Sequence, residues 1–95
     1  MNQVYILLSK KLNRFYIGYT SDLEVRLAFH KNAEETKFTY NADDWELFFS
    51  MVCENKTQAL AIEKHIKSMK SKVYIENLKK YPEMVSKLLI KFTRG

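Results

Sequence analysis

The sequence predicts a small α/β domain in which a three-stranded, mainly antiparallel sheet is flanked by helices. Three observations support this fold class. Short β-prone runs lie near residues 3–9, 14–18 and 45–53, and amphipathic helical patterns follow the second and third of these runs. The chain has 95 residues, enough for one modest core but not for two. Apolar residues make up 46% of it, which is typical of a folded domain rather than a disordered one.

The first two runs predict a β-hairpin. In QVYILLS, Val4, Ile6 and Leu8 recur at every second position, which is the period of a strand. KKLN follows as a turn, and RFYIG supplies a second strand that we expect to end at Gly18. The tyrosines of the two strands share one sheet face if the loop has an even number of residues. With an odd loop they point to opposite faces.

A helix is predicted directly after the hairpin. Ser21 and Glu24 have the spacing of a capping box, in which the serine accepts from a helical amide and the glutamate reaches back. The helix is therefore expected to start at about Asp22 and to run through LEVRLAFHKN. Arg26 and His30, four residues apart, lie on one side of this helix beside its inward stripe.

The second half of the chain predicts one strand and three helices. Residues 31–44 are polar and predict a loop, and WELFFSMVC predicts a third strand that is buried on much of both faces. Asn55 can cap a second helix, TQALAIEKHIKSMK, which is followed by a helical SKVYIENLKK. Pro82 suits the first turn of a final amphipathic helix. We therefore expect one domain at residues 1–80, with a C-terminal helix at residues 81–95 packed on it.

Charge is distributed unevenly along the chain, whose formal net charge is +5. Residues 54–95 contain ten basic and four acidic side chains, a balance of +6. This surplus permits contact with nucleic acid, because basic side chains near a phosphate backbone release condensed counterions. The alternative is that the lysines only solvate helix surfaces, and charge alone favours that alternative.

Composition excludes several kinds of site. The single cysteine, Cys53, excludes an intramolecular disulfide and a multi-cysteine zinc site, and it favours a reducing compartment, the cytoplasm. Its place in an apolar strand indicates packing rather than nucleophilic chemistry. With two glycines the chain has no glycine-rich phosphate loop. No apolar run reaches the roughly 18 residues of a membrane helix, so we expect no membrane partner.

Five residues remain as candidates for chemistry: Tyr5, Tyr16, Arg26, His30 and Glu63. Each has a structural explanation when it is considered singly. Tyrosines in a half-buried sheet usually pack their rings and point their hydroxyls at water. Arg26 and His30 can lay apolar stems on the core, and Glu63 can pair with Lys67 four residues further on.

The joint pattern is more specific than its members. QVYILL, FYIGYTSDLEVRLAFH and ALAIEKHIK carry the five candidates at spacings that resemble those of GIY-YIG nucleases, in their small stand-alone bacterial form. Gln3-Val4-Tyr5 takes the place of GIY, and Tyr16-Ile17-Gly18 is YIG itself. Arg26 and His30 match the family's arginine and histidine, and Glu63 matches its metal-binding glutamate in A-x-x-x-E-K-x-[IL]-K. The resemblance covers about residues 3–80.

The resemblance implies a metal-dependent endonuclease that hydrolyses DNA phosphodiester bonds, directed by structure rather than sequence, in DNA repair or processing. It implies that Glu63 binds one Mg²⁺ or Mn²⁺ ion and that Tyr5 is the general base. Tyr16 would orient water or phosphate, Arg26 would hold a phosphate oxygen, and His30 would position the phosphate or relay a proton. A tyrosine base at neutral pH requires a pKa below its ordinary value of about 10. We expect the metal and Arg26 to lower it.

DNA is the partner that this interpretation implies. Contacts to its backbone are assigned to five residues: Lys64, Lys67, Lys70, Lys72 and Asn77. Asp43 and Asp44 stand where the family usually carries basic residues. We interpret this acidic pair as a loss of DNA affinity or a change of use in that loop.

A second function class stays open, together with the oligomeric state. The same fold could serve as a non-catalytic module that binds nucleic acid or a protein, because fold alone does not determine function. A degenerate module would be expected to lose Arg26 or Glu63, and both are present, which favours the nuclease. The sequence is equally compatible with a monomer and a homodimer.

Overall fold

Strands and helices follow one another in the order β-β-α-β-α-α-α. The computed structural model describes residues 1–32 and 44–93. Its elements are β1 (Asn2–Ser9), β2 (Arg14–Thr20), α1 (Leu23–Asn32), β3 (Glu46–Cys53), α2 (Lys56–Met69), α3 (Lys72–Lys80) and α4 (Pro82–Lys91). The three strands form one antiparallel sheet with flanking helices, so the predicted fold class is confirmed.

The sheet has the order β2-β1-β3, which places β1 in the centre. Four successive residues of β1, Val4 to Leu7, are buried. Val4 and Ile6 belong to the core on one face, and the Tyr5 ring on the other face lies beside that of Tyr16. The expectation that β2 ends at Gly18 was wrong. The strand continues to Thr20, since the β1 strand is long enough for Gln3 to pair with Thr20.

The hairpin loop has an even number of residues, 10–13. Tyr5 consequently pairs with Gly18, and Leu7 pairs with Tyr16. Because side chains alternate along a strand, Tyr5 and Tyr16 lie on the same face of the sheet. Of the two geometries that the sequence left open, the structure has the one that a shared site requires.

Hydrogen bonds to Asp44 hold the hairpin turn. The buried Ser9 hydroxyl donates to Asp44 Oδ1 at 2.7 Å, and the Lys11 amide donates to Asp44 Oδ2 at 2.9 Å. These bonds, that from Ser9 first, lower the pKa of the Asp44 carboxyl. Asn13 closes the turn with a φ of 52°, a left-handed conformation that asparagine tolerates. Asp44 therefore braces the turn, and Asp43 lies outside the described residues.

The expectation that β3 is buried on much of both faces was wrong, because Leu47 and Val52 of this edge strand are exposed. A β-bulge explains the mixed pattern of its sequence. Ile6 pairs with Phe49 whereas Leu7 pairs with Leu47, so Phe48 is an extra residue in the edge strand. Such a bulge lets two adjacent side chains lie on one side of a strand. Phe48 and Phe49 accordingly both pack against the core.

The core lies on the sheet face opposite the two tyrosines and is covered by α2, α3 and α4. Its buried members are Val4, Ile6, Met51, Cys53, Ala59, Ile62, Ile66, Ile75, Leu78 and Leu88. Burial raises the pKa of the Cys53 thiol, which supports the prediction that this cysteine packs rather than reacts. Within the described residues, none of the helices has the length and apolar character that crossing a membrane requires.

Helix α1 is capped by a different residue from the one expected. Asp22 Oδ1 accepts from the Val25 amide at 3.2 Å, so Asp22 is the N-cap and the proposed capping box at Ser21 was wrong. Thr20 Oγ1 accepts from the Asp22 amide at 3.0 Å. This bond turns the chain one residue later than expected, so Asp22 rather than Ser21 directly precedes the helix. The helix ends at Asn32, the last residue of the predicted LEVRLAFHKN, and residues 33–43 of the expected loop lie outside the described residues.

A buried glutamine joins α4 to α2. Gln58, 2% exposed, accepts from the Glu54 amide at 2.6 Å through Oε1 and donates from Nε2 to the Leu89 carbonyl at 2.9 Å. Leu88 enters the same core as the residues of α2. Buried amides without partners are costly, so these bonds specify where the C-terminal helix docks.

The ring of Tyr5 lies directly over the backbone of Gly18. A Cβ atom built on Gly18 would be 2.5 Å from Tyr5 Oη and 2.6 Å from Cζ. No real Cβ approaches its neighbours so closely, so β2 accepts only glycine here without displacing the ring. Glycine in the interior of a strand often marks such an approach.

We expect Gly18→Ala to lower the free energy of unfolding by about 1–3 kcal/mol, because the Tyr5 ring must leave its place. Urea denaturation measures the change. The matched control is the same substitution in a Tyr5→Ala background, where the obstructing ring is absent and the cost should largely disappear. An equal loss in both backgrounds would contradict this explanation.

Candidate active site

Two tyrosines form the inner wall of the candidate site. The rings of Tyr5 and Tyr16 have centroids 6.2 Å apart and are tilted by 35°, and a side-chain hydrogen bond joins the two residues. Tyr5 is 1% exposed, whereas Tyr16 is half-buried. Tyr5 is thus fixed inside the protein while Tyr16 has access to solvent.

Arg26 and Glu63 approach the tyrosines from two helices. Arg26 lies in the second turn of α1, whose start is set by the Asp22 cap, and its side chain is exposed. Glu63 lies on α2, and its side chain is 17% exposed. Both charges act on the Tyr5 phenol, Arg26 lowering its pKa and Glu63 raising it. The fold therefore brings three predicted residues, Tyr16, Arg26 and Glu63, within electrostatic reach of the hydroxyl of a fourth, Tyr5.

The pKa of Tyr5 is raised well above its ordinary value, contrary to the expected depression. Burial is the largest cause, because removal from water disfavours the phenolate. The neighbouring Tyr16 adds to the shift, both electrostatically and through the hydrogen bond. Arg26 opposes it but is outweighed. In the protein without bound substrate, the Tyr5 phenol is therefore a neutral hydrogen-bonding group at neutral pH.

Glu63 forms an ion pair within its own helix. Lys67 Nζ lies 3.2 Å from Glu63 Oε2, one turn further along α2. This is the pairing that the structural explanation of Glu63 predicted. The lysine side chain is 55% exposed and the glutamate 17%, so the pair sits at the surface, where such contacts are weak.

One carboxylate could hold a divalent cation here. Among residues 1–32 and 44–93, no three His, Cys, Asp or Glu side chains cluster as metal ligands. Glu63 alone nevertheless fits Mg²⁺ or Mn²⁺, because Mg²⁺ keeps several waters and commonly binds one or two carboxylates together with substrate phosphates. The donor set suits a hard ion with oxygen ligands and does not suit zinc.

The other predicted residues do not all converge on the tyrosines. His30 belongs to α1, but its side chain lies outside the part of the chain whose side chains are described. Lys64 and Lys70 are exposed on α2 and at its end. Lys72 donates to the Asn13 carbonyl at 2.6 Å and so contacts the hairpin turn. Asn77 is half-buried in α3.

Gly18 is the contributor to this site whose role sequence reasoning missed. It was interpreted as the end of a strand, although it is the residue that makes room for the Tyr5 phenol. The available signal was a glycine inside a β-prone run, two residues after a candidate tyrosine. The bracing role of Asp44 was missed as well, because Ser9 is 35 positions away in the chain.

Comparisons of this chain with family models, with related sequences and with solved structures all indicate one family. The GIY-YIG catalytic domain family matches residues 1–80. UPF0213 protein YazA of Bacillus subtilis is 30% identical over 87 residues, with 88% of each chain covered. UPF0213 protein CPE1444 of Clostridium perfringens is 36% identical over 69 residues, with 73% of each chain covered.

A solved structure shares the fold. The solution NMR structure of UPF0213 protein BH0048 from Bacillus halodurans is 30% identical to this chain, and the match covers 84% of each chain with a TM-score of 0.52. The residues that the family model matches include β1, β2, α1 and α2, which carry the candidate residues. The chain therefore belongs to the GIY-YIG family, a nuclease-type family, and its relatives are the small stand-alone UPF0213 proteins.

Proposed function

We propose that this protein is a divalent-metal-dependent endonuclease that hydrolyses DNA phosphodiester bonds. The observation that carries the proposal is the position of the Tyr5 hydroxyl. It is hydrogen-bonded to Tyr16 and lies within the electrostatic influence of both Arg26 and Glu63. A packing role for the tyrosines does not require a cation and a carboxylate beside the same phenol. Membership of the GIY-YIG family supports the same assignment.

Arg26 is the group we assign to the phosphate. Its guanidinium can donate two parallel hydrogen bonds to phosphate oxygens, which a lysine cannot do. It is exposed and projects from a capped helix, so it is accessible to a polymer and yet positioned. Charge stabilisation of this kind is often the largest contribution that an enzyme makes to a phosphoryl-transfer reaction.

Glu63 is the residue that would hold the cation, which when bound would neutralise phosphate charge and stabilise the departing 3′ oxygen. Lys67 must then release the Glu63 carboxylate. An ammonium group on a flexible stem can move to a phosphate oxygen, so the pair can exchange partners at little cost.

The tyrosines are assigned to the attacking water. Tyr16 is half-buried and can orient the water or a phosphate oxygen. Tyr5 could accept the water's proton only after it has released its own phenolic proton to solvent. Burial is the main cause that raises its pKa, and compensation of the Glu63 charge would remove the smallest cause. His30, on the same helix as Arg26, remains a candidate for positioning the phosphate.

The substrate is proposed to be selected by its structure. The contacts assigned to Arg26 and to a cation on Glu63 are contacts to phosphate, and phosphate contacts carry no base information. We therefore infer a role on branched, flapped or single-stranded DNA in repair or processing. The compartment we propose is the cytoplasm, since the single cysteine is buried and unpaired.

Cleavage of a DNA panel tests the proposed function. With Mg²⁺ or Mn²⁺, wild-type protein should cut at least one of a set of single-stranded, duplex, flapped and branched DNAs. Glu63→Ala and Arg26→Ala should each lower the cleavage rate by roughly 10²–10³-fold or more, because each removes a preorganised charge. Arg26→Lys, which keeps the charge but not the fork, should also lose most activity.

The matched control is Glu76→Ala, which removes an exposed carboxylate from α3. It should cleave like the wild type, and thermal melting should establish that all variants fold. If no substrate is cut but salt-sensitive binding persists, the protein is a binding module and not a nuclease.

The raised pKa of Tyr5 predicts a loss of stability at alkaline pH. A tyrosine in the unfolded chain ionises near pH 10, whereas folded Tyr5 stays protonated, so its contribution is complete below pH 10 and is lost as pH rises further. Between pH 10 and 11.5 this group should lower the free energy of unfolding by up to about 1.4 kcal/mol per pH unit.

Urea denaturation of wild type and Tyr5→Phe across this pH range measures the effect. The phenylalanine variant should show a shallower decline. Tyr81→Phe, which removes an exposed hydroxyl, serves as the control and should keep the wild-type slope. Parallel declines for wild type and Tyr5→Phe would contradict the buried, protonated phenol.

The ion pair on α2 predicts that Lys67 opposes cation binding. Lys67→Ala should strengthen Mn²⁺ binding by up to about fivefold, the range expected for the loss of one surface ion pair. Electron paramagnetic resonance of free Mn²⁺ gives the affinity without any cleavage. Lys64→Ala removes the same charge from a neighbouring position of α2, so it controls for the effect of net charge alone on Mn²⁺ binding. Equal effects of the two substitutions would refute a direct competition.

A further inference from the structure

Basic side chains gather at the end of the sheet where β1 turns into β2. The turn and the first residue of β2 contribute three exposed cations, and the junction of α2 and α3 contributes two more. We call this set the hairpin-end surface: Lys10, Lys11, Arg14, Lys70 and Lys72. The two segments are held together because Lys72 Nζ donates to the Asn13 carbonyl at 2.6 Å.

The charge of this surface is only partly compensated. Asp44 is the carboxylate bonded to the turn, where it accepts from the Ser9 hydroxyl and the Lys11 amide. Glu46 pairs with Leu8 and therefore lies at the same end of the sheet, and Glu76 follows Lys72 by four residues on α3. Among the described residues, five cations and these three carboxylates leave two positive charges at the hairpin end. Positive charge held this way attracts a polyanion.

A row of side chains on α2 connects the candidate active site with the hairpin-end surface. Glu63 and Lys67, four residues apart, lie along one side of the helix, and Lys70 is the residue that caps its C-terminal end. The row begins at the carboxylate that acts on the Tyr5 phenol and ends at the α2–α3 junction. At 1.5 Å per residue, Glu63 and Lys70 are about 10 Å apart along the axis.

The strand β1 gives a somewhat larger separation independently. Tyr5 and Ser9 are four residues apart, which is about 13 Å at the rise of a β-strand. The helix and the strand run from the tyrosines toward the same end of the molecule, since α2 starts after Cys53, the partner of Asn2, and ends near the hairpin turn.

We propose that the hairpin-end surface is a second contact for nucleic acid, which binds the sugar–phosphate backbone of a duplex arm of the DNA. Phosphates follow one another at 3.4 Å per base pair along the axis, so the contact should lie about three to four base pairs from the scissile phosphate. The proposal rests on the proposed function, because the distance to the contact is counted from the phosphate that the candidate active site would cut. It adds residues of the hairpin turn, to which nothing in the sequence pattern assigned a role.

The contact is expected to position the DNA without reading its sequence. Lysine ammonium groups on flexible stems bind phosphates as point charges, and such contacts carry no base information. Their function would be to hold one arm of a branched or flapped substrate so that the junction meets Arg26 and Glu63. This geometry would favour substrates with a duplex on one side of the cut.

The test compares two double variants with equal charge loss. Fluorescence anisotropy of a labelled flap DNA in EDTA, at several salt concentrations, measures binding without cleavage. Lys10→Gln with Arg14→Gln should weaken binding about tenfold at 100 mM salt. It should also lower the slope of log affinity against log salt by about 2, one for each lost phosphate contact. Lys56→Gln with Lys87→Gln, at the start of α2 and on α4, should leave the slope unchanged.

The arm length gives a second readout. When the duplex arm is shortened to about two base pairs, the Lys10 and Arg14 double variant should bind as well as the wild type, because the missing contact no longer has a phosphate to meet. Equal losses in the two double variants, or a penalty independent of arm length, would overturn the hairpin-end contact. So would the absence of measurable binding by the wild type at low salt.

Failure of the nuclease proposal would look different. If the wild type does not cut with Mg²⁺ or Mn²⁺ but the Lys10 and Arg14 penalty and its dependence on arm length persist, the second contact stands and the catalytic assignment falls. If the wild type cuts, the double variant should reach the wild-type cleavage rate at saturating protein and low salt, because no group at the tyrosines has changed. A reduced saturated rate would contradict a role confined to binding.

Discussion

The contact between the ring of Tyr5 and the backbone of Gly18 is the constraint on which the candidate site depends. It fixes a phenol in the central strand, inside the protein, with its hydroxyl at the point where two helices approach. Any side chain at position 18 would occupy the space of that ring. Because β1 is hydrogen-bonded on both edges, the strand cannot shift to relieve such an overlap without breaking pairs with β2 and β3.

In the free protein, two ionisable groups of the candidate site are either neutral or paired with an opposite charge. Burial keeps the Tyr5 phenol neutral, and Lys67 compensates the Glu63 carboxylate. Under the proposed function, Tyr5 would have to lose its proton and Glu63 would have to exchange Lys67 for a cation before the site could act. A neutral phenol and a paired carboxylate also cost less to bury than the charged species would.

The acidic residue beside the hairpin has a structural explanation. From the sequence, Asp44 was interpreted as a loss of affinity in a DNA-facing loop. In the structure the Asp44 carboxylate accepts hydrogen bonds from the Ser9 hydroxyl and the Lys11 amide. The lysines of the turn and Arg14 at the start of β2 remain exposed to solvent. A carboxylate that accepts hydrogen bonds at a turn stabilises that turn, and its charge is in part compensated by the donors.

The sequence by itself determined the strands, the helices and the set of residues that could share a site, because periodicity and motif spacing are properties of near neighbours. It indicated Tyr5, Tyr16, Arg26 and Glu63 without showing that they meet. Tertiary structure decided what depends on distant partners: the common face of the two tyrosines, the Asp22 cap, the Asp44 brace and the contact of Lys72 with Asn13. It also decided the direction of the Tyr5 pKa shift, since burial arises from residues far apart in the chain.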